Sequence, residues 1–257
     1  MRVILRLDAP DAGRALVNGQ AYASLRHPMR VIGSLLDAGA LQPSRGARNH
    51  LLWLARSQGL KAERVNEVIA QAGLDGVARR RAGGYSLGMR QRLGIAAAML
   101  GNPAAIMLDE PFNGMDPRQR LHTMDLLRTL AGEGRTILFS SHILEEVERV
   151  AGRILVIVAG RLAASGDFRS IRRLMTDRPH TFTLRSSNDR GLASALLDEP
   201  AVSGVTLDDG MLVVRAADFG TFSRAVSGRA RRAGISLYEL LPTDESLESV
   251  FSYLVRG

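Results

Sequence analysis

A short apolar run that ends in two adjacent carboxylates constrains the fold of this chain more than any other feature. Residues 104–108 read Ala-Ala-Ile-Met-Leu, and Asp109 and Glu110 follow directly. Such a run is typical of a buried strand, and in an open α/β sheet the ligand crevice lies at the carboxyl ends of the strands. Successive strand residues point to opposite sides, so one acid can serve a magnesium ion and the other an attacking water. Taken alone, the run also fits a buried strand whose acidic end caps the next turn.

Further apolar runs alternate with helical segments, and this order predicts a parallel sheet covered by helices on both faces. Upstream of the sheet, residues 47–84 have the apolar spacing of helices, and we expect a small helical subdomain at about 45–84. The runs that predict strands occupy residues 104–108, 136–139 and 154–158.

The first twenty residues carry weaker signals. Residues 1–7 have the composition of the end of a helix, which Pro10 then stops. We expect a short strand at 15–17, closed by the turn dipeptide Asn18-Gly19.

The last third of the chain changes its pattern and predicts a small α+β domain of the order βαββαβ. We place a boundary near 168–178, where charges and a proline interrupt the pattern, and expect domains at 1–168 and 178–257. The predicted elements are a strand at 181–184, a helix at 191–197, strands at 202–207 and 211–215, a helix at 219–233 and a strand at 236–240.

Composition narrows the classes of protein that remain. The chain has 257 residues and no apolar stretch that approaches the roughly 20 residues of a membrane-spanning helix, so we expect any membrane role to come through a partner. The absence of cysteine excludes disulfides and thiolate metal sites. The net charge of +8 is compatible with binding to nucleic acid, an anionic membrane or a nucleotide. Basic runs such as 79–81 lack the interleaved aromatic residues of a protein that binds single-stranded nucleic acid. A solvated arginine-rich surface is therefore favoured, and no nucleic acid is expected as a partner.

Three other segments carry moderate signals, each of which alone fits ordinary helix capping or an incidental side chain. Ser86 is a natural N-cap, and the glycine that follows at 88 lets backbone N–H groups approach an anion closely. Asp116 is a second N-cap, with Pro117 at the first helical position. His142 directly follows the run at 136–141, where its imidazole can contact a phosphate or an attacking water.

In this order, the segments resemble the nucleotide-binding domain of ABC transporters, over about residues 1–167. The resemblance implies an α/β fold, the P-loop NTPase-like parallel sheet with a helical subdomain. Ser86-Leu87-Gly88-Met89-Arg90-Gln91 resembles the family signature, 106–110 the Walker B strand, 113–117 the D-loop, His142 the switch histidine of the H-loop, and 154–166 the hairpin that follows it.

The same resemblance implies a role for each matching residue, with ATP and Mg²⁺ as cofactors. Asp109 would position the water shell of Mg²⁺, Glu110 would be the general base, and His142 would stabilise the γ-phosphate. Two such domains sandwich two nucleotides head to tail in this family, so the signature residues would contact the nucleotide of the opposite subunit, and Asp116 would couple the two sites. The residues expected to bind nucleotide are Ser86, Leu87, Gly88, Met89, Gln91, Asp116 and Asp37.

Two features depart from the family pattern. The sequence contains no G-x-x-x-x-G-K-[ST] loop, and its single lysine, Lys61, lies in the helical region. In the family this Walker A loop directly precedes the helix that residues 1–7 resemble, so we expect the chain to be N-terminally truncated, through a late-called start or a real loss. At the Q-loop the chain has Asp37 where the family usually has glutamine, with Gln42 as the other candidate.

The resemblance implies the ATP-hydrolysing subunit of an ABC exporter, on the cytoplasmic inner face of the cell membrane. Its expected partners are a separate membrane permease and a second, identical or different, ATPase domain. Residues 244–251 resemble the end of drug- and antibiotic-export ATPases, or form an amphipathic helix on the C-terminal domain through Leu247, Val250, Phe251 and Leu254.

Two other functions remain open alternatives to the exporter ATPase. The first is a degenerate module that completes a partner's ATP site without hydrolysis. The second is a DNA-repair or ribosome-associated ABC protein, which is disfavoured because the chain has neither a coiled-coil insertion nor a second ATPase domain. The substrate lies with the permease and is not encoded in this sequence.

Overall fold

The computed structural model describes residues 1–167, 171, 179–208 and 211–243. Its contacts divide the chain into two compact units, Met1–Val150 and Ala151–Gly257, each with a core of its own. The domain boundary expected near 168–178 lies later in the chain and stays a prediction. The tail expected at 244–251, with its apolar residue at 254, lies outside the described residues.

A parallel sheet forms the centre of the first unit, in the order β1-β2-β3. Its register aligns Leu35 with Leu108, and Leu108 with Phe139, so all three strands end at one edge. The predicted runs at 104–108 and 136–139 are confirmed as β2 and β3. The strand β1 is not predicted from the sequence, because two of its four residues are glycine and serine, which weaken an apolar strand pattern. The strands are β1 (Ile32–Leu35), β2 (Ala105–Leu108) and β3 (Thr136–Phe139).

Helices pack on one face of this sheet, and the opening turns pack on the other, where Leu5 is buried with Ile32 and Met107. The expected cover by helices on both faces is therefore not what the described residues show.

Residues 45–84, where a helical subdomain is expected, contain α2 and α3 with two 3-10 turns, Asp75–Val77 and Ala82–Gly84. The helical pattern is confirmed, and the subdomain stays a prediction. The apolar residues of α2 and α3 join those of the sheet and of α4 in one buried core. The helices of this unit are α1 (Pro28–Val31), α2 (Ala47–Ser57), α3 (Glu63–Gln71), α4 (Leu87–Met99), α5 (Pro117–Gly132) and α6 (Leu144–Val150).

The helix α4 packs closely on β1 because small residues face each other there. A Cβ atom built on Gly33 would lie 1.8 Å from the backbone carbonyl oxygen of Ala98. The side chains of Leu93 and Ile95 on the same helix are buried in the core with Ile106 of β2. The start of α4 is thereby fixed beside the edge at which the strands end.

The opening residues fold as turns rather than as a regular helix, although they make the hydrogen bonds of a helix end. The Leu7 N–H donates to the Arg2 carbonyl (3.0 Å) and the Arg6 N–H to the Val3 carbonyl (3.1 Å), while Arg6 has a φ of 59°. This is the Schellman pattern, in which a left-handed residue terminates a helix. The predicted end of a helix is thus present in its hydrogen bonds, without a regular helix before it.

The strand predicted at 15–17 is wrong. Val17 makes only an isolated bridge to Gln20, because Asn18 (φ 50°) and Gly19 (φ 79°) reverse the chain at once in the left-handed region. The predicted turn dipeptide is confirmed.

The run at 154–158 is a strand, but its predicted place in the parallel sheet is wrong. It forms β4 (Ile154–Val158), which pairs antiparallel with β5 (Arg161–Gly166) in a separate two-stranded sheet. Ala159 (φ 48°) and Gly160 (φ 76°) form the connection, and so short a turn permits only antiparallel pairing. The hairpin expected at 154–166 is confirmed.

The remaining elements of the second unit follow the predicted βαββαβ order. They form an antiparallel sheet of strand order β7-β8-β6-β9, whose core contains Phe182, Phe222 and Leu212. The elements are β6 (His180–Ser186), α7 (Asp189–Leu197), β7 (Val202–Asp208), β8 (Met211–Ala216), α8 (Phe219–Arg232) and β9 (Leu237–Pro242). Across the described ranges of both units, no helix has the length and apolar character needed to cross a bilayer.

Candidate functional site

The carboxyl edge of the parallel sheet opens into a cleft. Backbone bonds continue the sheet past its strands: the Asp109 N–H donates to the Leu35 carbonyl (2.8 Å) and the Ser140 N–H to the Leu108 carbonyl (3.0 Å). The acids and the start of the His142 loop are therefore fixed at the same edge. The cleft has a volume of about 280 Å³ and is lined by Leu36, Asp37, Ala38, Gly39, Leu87, Gln91, Asp109, Glu110 and Asn113.

Glu110 has an unusual backbone conformation that its neighbours hold in place. Its φ is 47°, in the left-handed region, which costs a residue with a Cβ atom about 1–2 kcal/mol. Its N–H donates to the Ser140 hydroxyl oxygen (3.0 Å), and its carbonyl accepts a hydrogen bond from Nε2 of Gln91 (3.1 Å). The Ser140 hydroxyl in turn donates to Oδ1 of Asp109. Both acids are thus oriented by side chains from other elements.

His142 is paired directly with Glu110. The distance from Nδ1 of His142 to Oε2 of Glu110 is 2.9 Å. This hydrogen bond, and then the negative charge of Glu110, raise the pKa of His142 above its ordinary value of 6.5. The His142 side chain is 70% exposed, so the hydrogen bond and the backbone of its loop orient it, rather than packing.

The signature residues lie at the start of α4, and the structure brings only some of them to the cleft. Leu87 and Gln91 line it, whereas Ser86, Gly88 and Met89 are not among its lining residues. The Ser86 hydroxyl oxygen accepts a bond from the Met89 N–H (3.2 Å), which confirms the predicted N-cap.

The start of α4 packs tightly against the segment 113–117. A Cβ atom on Gly88 would lie 2.7 Å from the Gly114 carbonyl oxygen, so only a glycine permits this approach. Asp116 caps α5 as predicted, through a bond from the Gln119 N–H (2.8 Å), and does not line the cleft. The nucleotide contacts expected of the signature and of Asp116 stay predictions.

Of the two Q-loop candidates, Asp37 is the one beside the acids. It lines the cleft, and its Oδ1 accepts a bond from the Gly39 N–H (2.6 Å). Gln42 is not among the lining residues and donates instead to the Ser44 hydroxyl (3.4 Å). Its place in the cleft favours Asp37 for the role, which remains a prediction.

The donor set of the cleft fits a magnesium ion that shares its ligands with phosphate. Mg²⁺ takes oxygen ligands and usually binds through one or two carboxylates, waters and substrate phosphates. Asp109 and Asp37 supply such carboxylates. Within the described ranges, no group of three or more potential ligands could hold a metal by itself. Only the carboxylate ligands of such a magnesium site are present, since the 257 residues contain no phosphate-binding loop with a lysine.

Some residues of the site were not found from the sequence. Ser140 and Asn113 contact or flank the acids, yet neither was singled out as a site residue. A serine directly after a predicted strand of the same sheet was the available signal for Ser140, because the ends of parallel strands meet at one edge.

Comparisons with known proteins identify the family of the chain. A family model described as ABC transporter matches residues 1–113, which include β1, the start of α4 and both acids. The chain is 33% identical to the daunorubicin resistance ATP-binding protein DrrA3 of Streptomyces coeruleorubidus, across 99% of this chain and 82% of that protein. It is 30% identical to the bacitracin transport ATP-binding protein BcrA of Enterococcus faecalis, across 100% of this chain and 83% of that protein.

A solved structure shares the fold. It is described as the ATP binding subunit of an ABC transporter, and it superposes with a TM-score of 0.61 at 26% identity, over 68% of this chain and 75% of the other.

Proposed function

The chain belongs to the family of ABC transporter ATP-binding proteins, and from this premise we propose that it binds and hydrolyses ATP to drive an exporter whose membrane permease is a separate chain. The carboxylate–imidazole pair of Glu110 and His142, beside Asp109 at the end of the sheet, is the observation that carries the proposal. The similar proteins are named for daunorubicin resistance and bacitracin transport, and these names support export as the direction of transport.

The proposal includes two partners. A second ATPase domain, identical or different, would supply the start of its α4 to complete the site, since Ser86 and Gly88 lie outside the lining of this chain's own cleft. A permease would hold the pair at the cytoplasmic face of the membrane.

The side chains of the cleft have separable tasks in hydrolysis. Asp109 accepts a hydrogen bond from the Ser140 hydroxyl at Oδ1, and with its other carboxylate oxygen it would help to hold Mg²⁺. Glu110 engages His142 through Oε2, so its Oε1 is the atom to take a proton from the attacking water. The raised pKa favours a protonated His142, whose Nε2–H is a donor for negative charge that develops on phosphate. When bound, Mg²⁺ neutralises charge on the phosphate oxygens.

The test measures ATP binding and hydrolysis by the purified chain and by Glu110→Gln. We expect this variant to lower the hydrolysis rate by about 10²–10⁴-fold, because it removes the proton acceptor, and to leave ATP affinity nearly unchanged. Glu133→Gln is the matched control, since Glu133 is an exposed acid at the end of α5 that pairs with Arg135.

The outcomes separate the alternatives. Hydrolysis that survives Glu110→Gln would overturn the proposed role of this residue. A chain that binds no ATP, yet accelerates hydrolysis by a partner domain with a complete phosphate loop, would identify the non-hydrolysing module instead.

A further inference from the structure

A carboxylate that the reaction does not use is buried beneath the His142 loop. Glu146, in the first turn of α6, is 3% exposed. A buried carboxylate is costly unless it is paired and hydrogen-bonded. Its Oε2 accepts a hydrogen bond of 2.5 Å from the Ser141 hydroxyl, and its Oε1 lies 3.5 Å from Nε of Arg120 without a hydrogen bond.

Three consecutive residues of the loop each contact a different acid. The Ser140 hydroxyl donates to Asp109, the Ser141 hydroxyl to Glu146, and the His142 ring pairs with Glu110. The Ser141 oxygen also accepts a bond from the Ile143 N–H (3.0 Å), which fixes the backbone on the far side of His142. The exposed imidazole therefore directly follows two anchored serines and precedes a residue whose backbone N–H is also held.

Arg120 extends this arrangement to the segment that precedes α5. It lies in the first turn of that helix, and its N–H donates to the carbonyl of Asp116, the N-cap (2.9 Å). The ion pair with Glu146 thus joins the start of α5 to the His142 loop.

We infer that Glu146, acting through the Ser141 hydroxyl, is a positioning residue that sets His142 against Glu110. The inference rests on the proposed function, which gives the His142–Glu110 pair its role. The competing explanation is that Glu146 is only an acid at a helix start, where negative charge is favourable. The two differ in whether the His142–Glu110 bond depends on the Ser141 hydroxyl.

The test titrates His142 by NMR in the full chain without nucleotide, with its signal assigned from the His142→Gln spectrum. Ser141→Ala removes the hydroxyl but leaves the charges of Glu110 and Glu146 in place. We expect the pKa of His142 to fall toward 6.5 in Ser141→Ala, and to stay at the wild-type value in Ser141→Thr, which keeps the hydroxyl. Ser57→Ala is the control, because the Ser57 hydroxyl donates to the Leu54 carbonyl at the end of α2, outside this site.

Glu146→Gln should also lower the pKa of His142, but part of that fall comes from the lost charge of Glu146, which itself raises this pKa. A wild-type His142 pKa in Ser141→Ala would therefore overturn the inference, whatever Glu146→Gln shows. If Glu146→Gln does not fold, the Ser141→Ala and Ser141→Thr pair decides alone.

Kinetics give an independent readout. We expect Ser141→Ala to lower kcat for ATP about tenfold with little change in KM, as for a misplaced catalytic group. The titration needs no nucleotide, so an inactive wild-type chain would contradict the proposed function alone. An unchanged titration in an active enzyme would contradict the positioning role alone.

Discussion

A few polar atoms around Glu110 decide the chemistry of the cleft at the scale of single residues. Its backbone is held by Ser140 and Gln91, and its carboxylate by His142. The side-chain amide of Gln91 donates to the Glu110 carbonyl through Nε2, while its buried Oε1 accepts no hydrogen bond. Glu110 is thus held by two other segments of the chain, each of which contributes one or two hydrogen bonds.

The pairing of His142 with Glu110 predicts a pH dependence of stability. The pKa of His142 is raised in the folded protein, so the pair stabilises the fold fully below the ordinary pKa of 6.5, and this contribution is lost as the pH rises through the raised pKa. Urea unfolding at about pH 5.5 and about pH 8.5 should show wild type more stable than His142→Gln mainly at the lower pH. In a Glu110→Gln background the same comparison should lose its pH dependence. A wild-type advantage of equal size at both pH values would contradict the prediction.

The predicted residues and the missed ones differ in the kind of information they need. Ser86 and Asp116 were predicted as caps because capping depends on local sequence alone. The contacts of Ser140, Gln91 and Glu146 were missed because they join positions far apart in the chain. The strand order and register determine which loops come together at the edge of the sheet. The spacing of apolar residues in the sequence does not reveal that order.

At the scale of elements, the close packing of α4 on β1 positions the cleft. Gly33 permits the approach, and the start of α4 then brings Leu87 and Gln91 to the edge where the strands end. The close packing requires a residue without a side chain at position 33, and this same glycine makes β1 hard to predict from the sequence, because glycine weakens a strand pattern.

Gly33→Ala should therefore be strongly destabilising. Its methyl group would meet the backbone of Ala98 at 1.8 Å, which only a shift of helix and sheet can relieve, and we expect a loss of more than about 3 kcal/mol. Gly132→Ala is the matched control, because Gly132 ends α5 with open space around its Cβ position, and it should gain about 0.4–1 kcal/mol. Chemical denaturation measures both, and similar stabilities of the two variants would refute the packing argument.

The hairpin shows the limit of prediction for elements. Its first strand was predicted from the apolar run at 154–158, and the hairpin at 154–166 from the family resemblance, but the run itself placed β4 in the wrong sheet. A continuous apolar run is equally compatible with a parallel and an antiparallel partner. The two-residue turn at Ala159 and Gly160 carried the decisive information.

At the scale of the whole molecule, the chain has two cores with different architectures. The first unit packs helices on one face of a parallel sheet and the opening turns on the other, whereas the second packs α7 and α8 on an antiparallel sheet. In the second core the ring of Phe182 lies 4.6 Å from that of Phe222 and 5.3 Å from that of Phe219. The sequence order of these elements was predictable because each short element carries its own local pattern and the connections between them are short.

Separate cores predict separate responses to mutation. Phe182→Ala should destabilise the second unit by about 3–5 kcal/mol, because it leaves a cavity in a fully buried cluster. Hydrogen exchange should then show lost amide protection within 179–243 and wild-type protection within 1–150. Leu93→Ala, in the first core, is the reciprocal variant. Equal loss of protection in both units after either substitution would show that the cores unfold as one.

The left-handed backbone at Glu110 has a consequence for how this protein can change. Glycine adopts such a conformation freely, and asparagine tolerates it better than glutamate does. At position 110 the backbone conformation therefore favours glycine or asparagine, whereas the proposed reaction requires a glutamate. Substitution of Glu110 by glycine or asparagine would relieve this strain and abolish the reaction. At a pH above the range in which the pair with His142 stabilises the fold, screening variants for thermal tolerance alone would therefore favour these inactive ones.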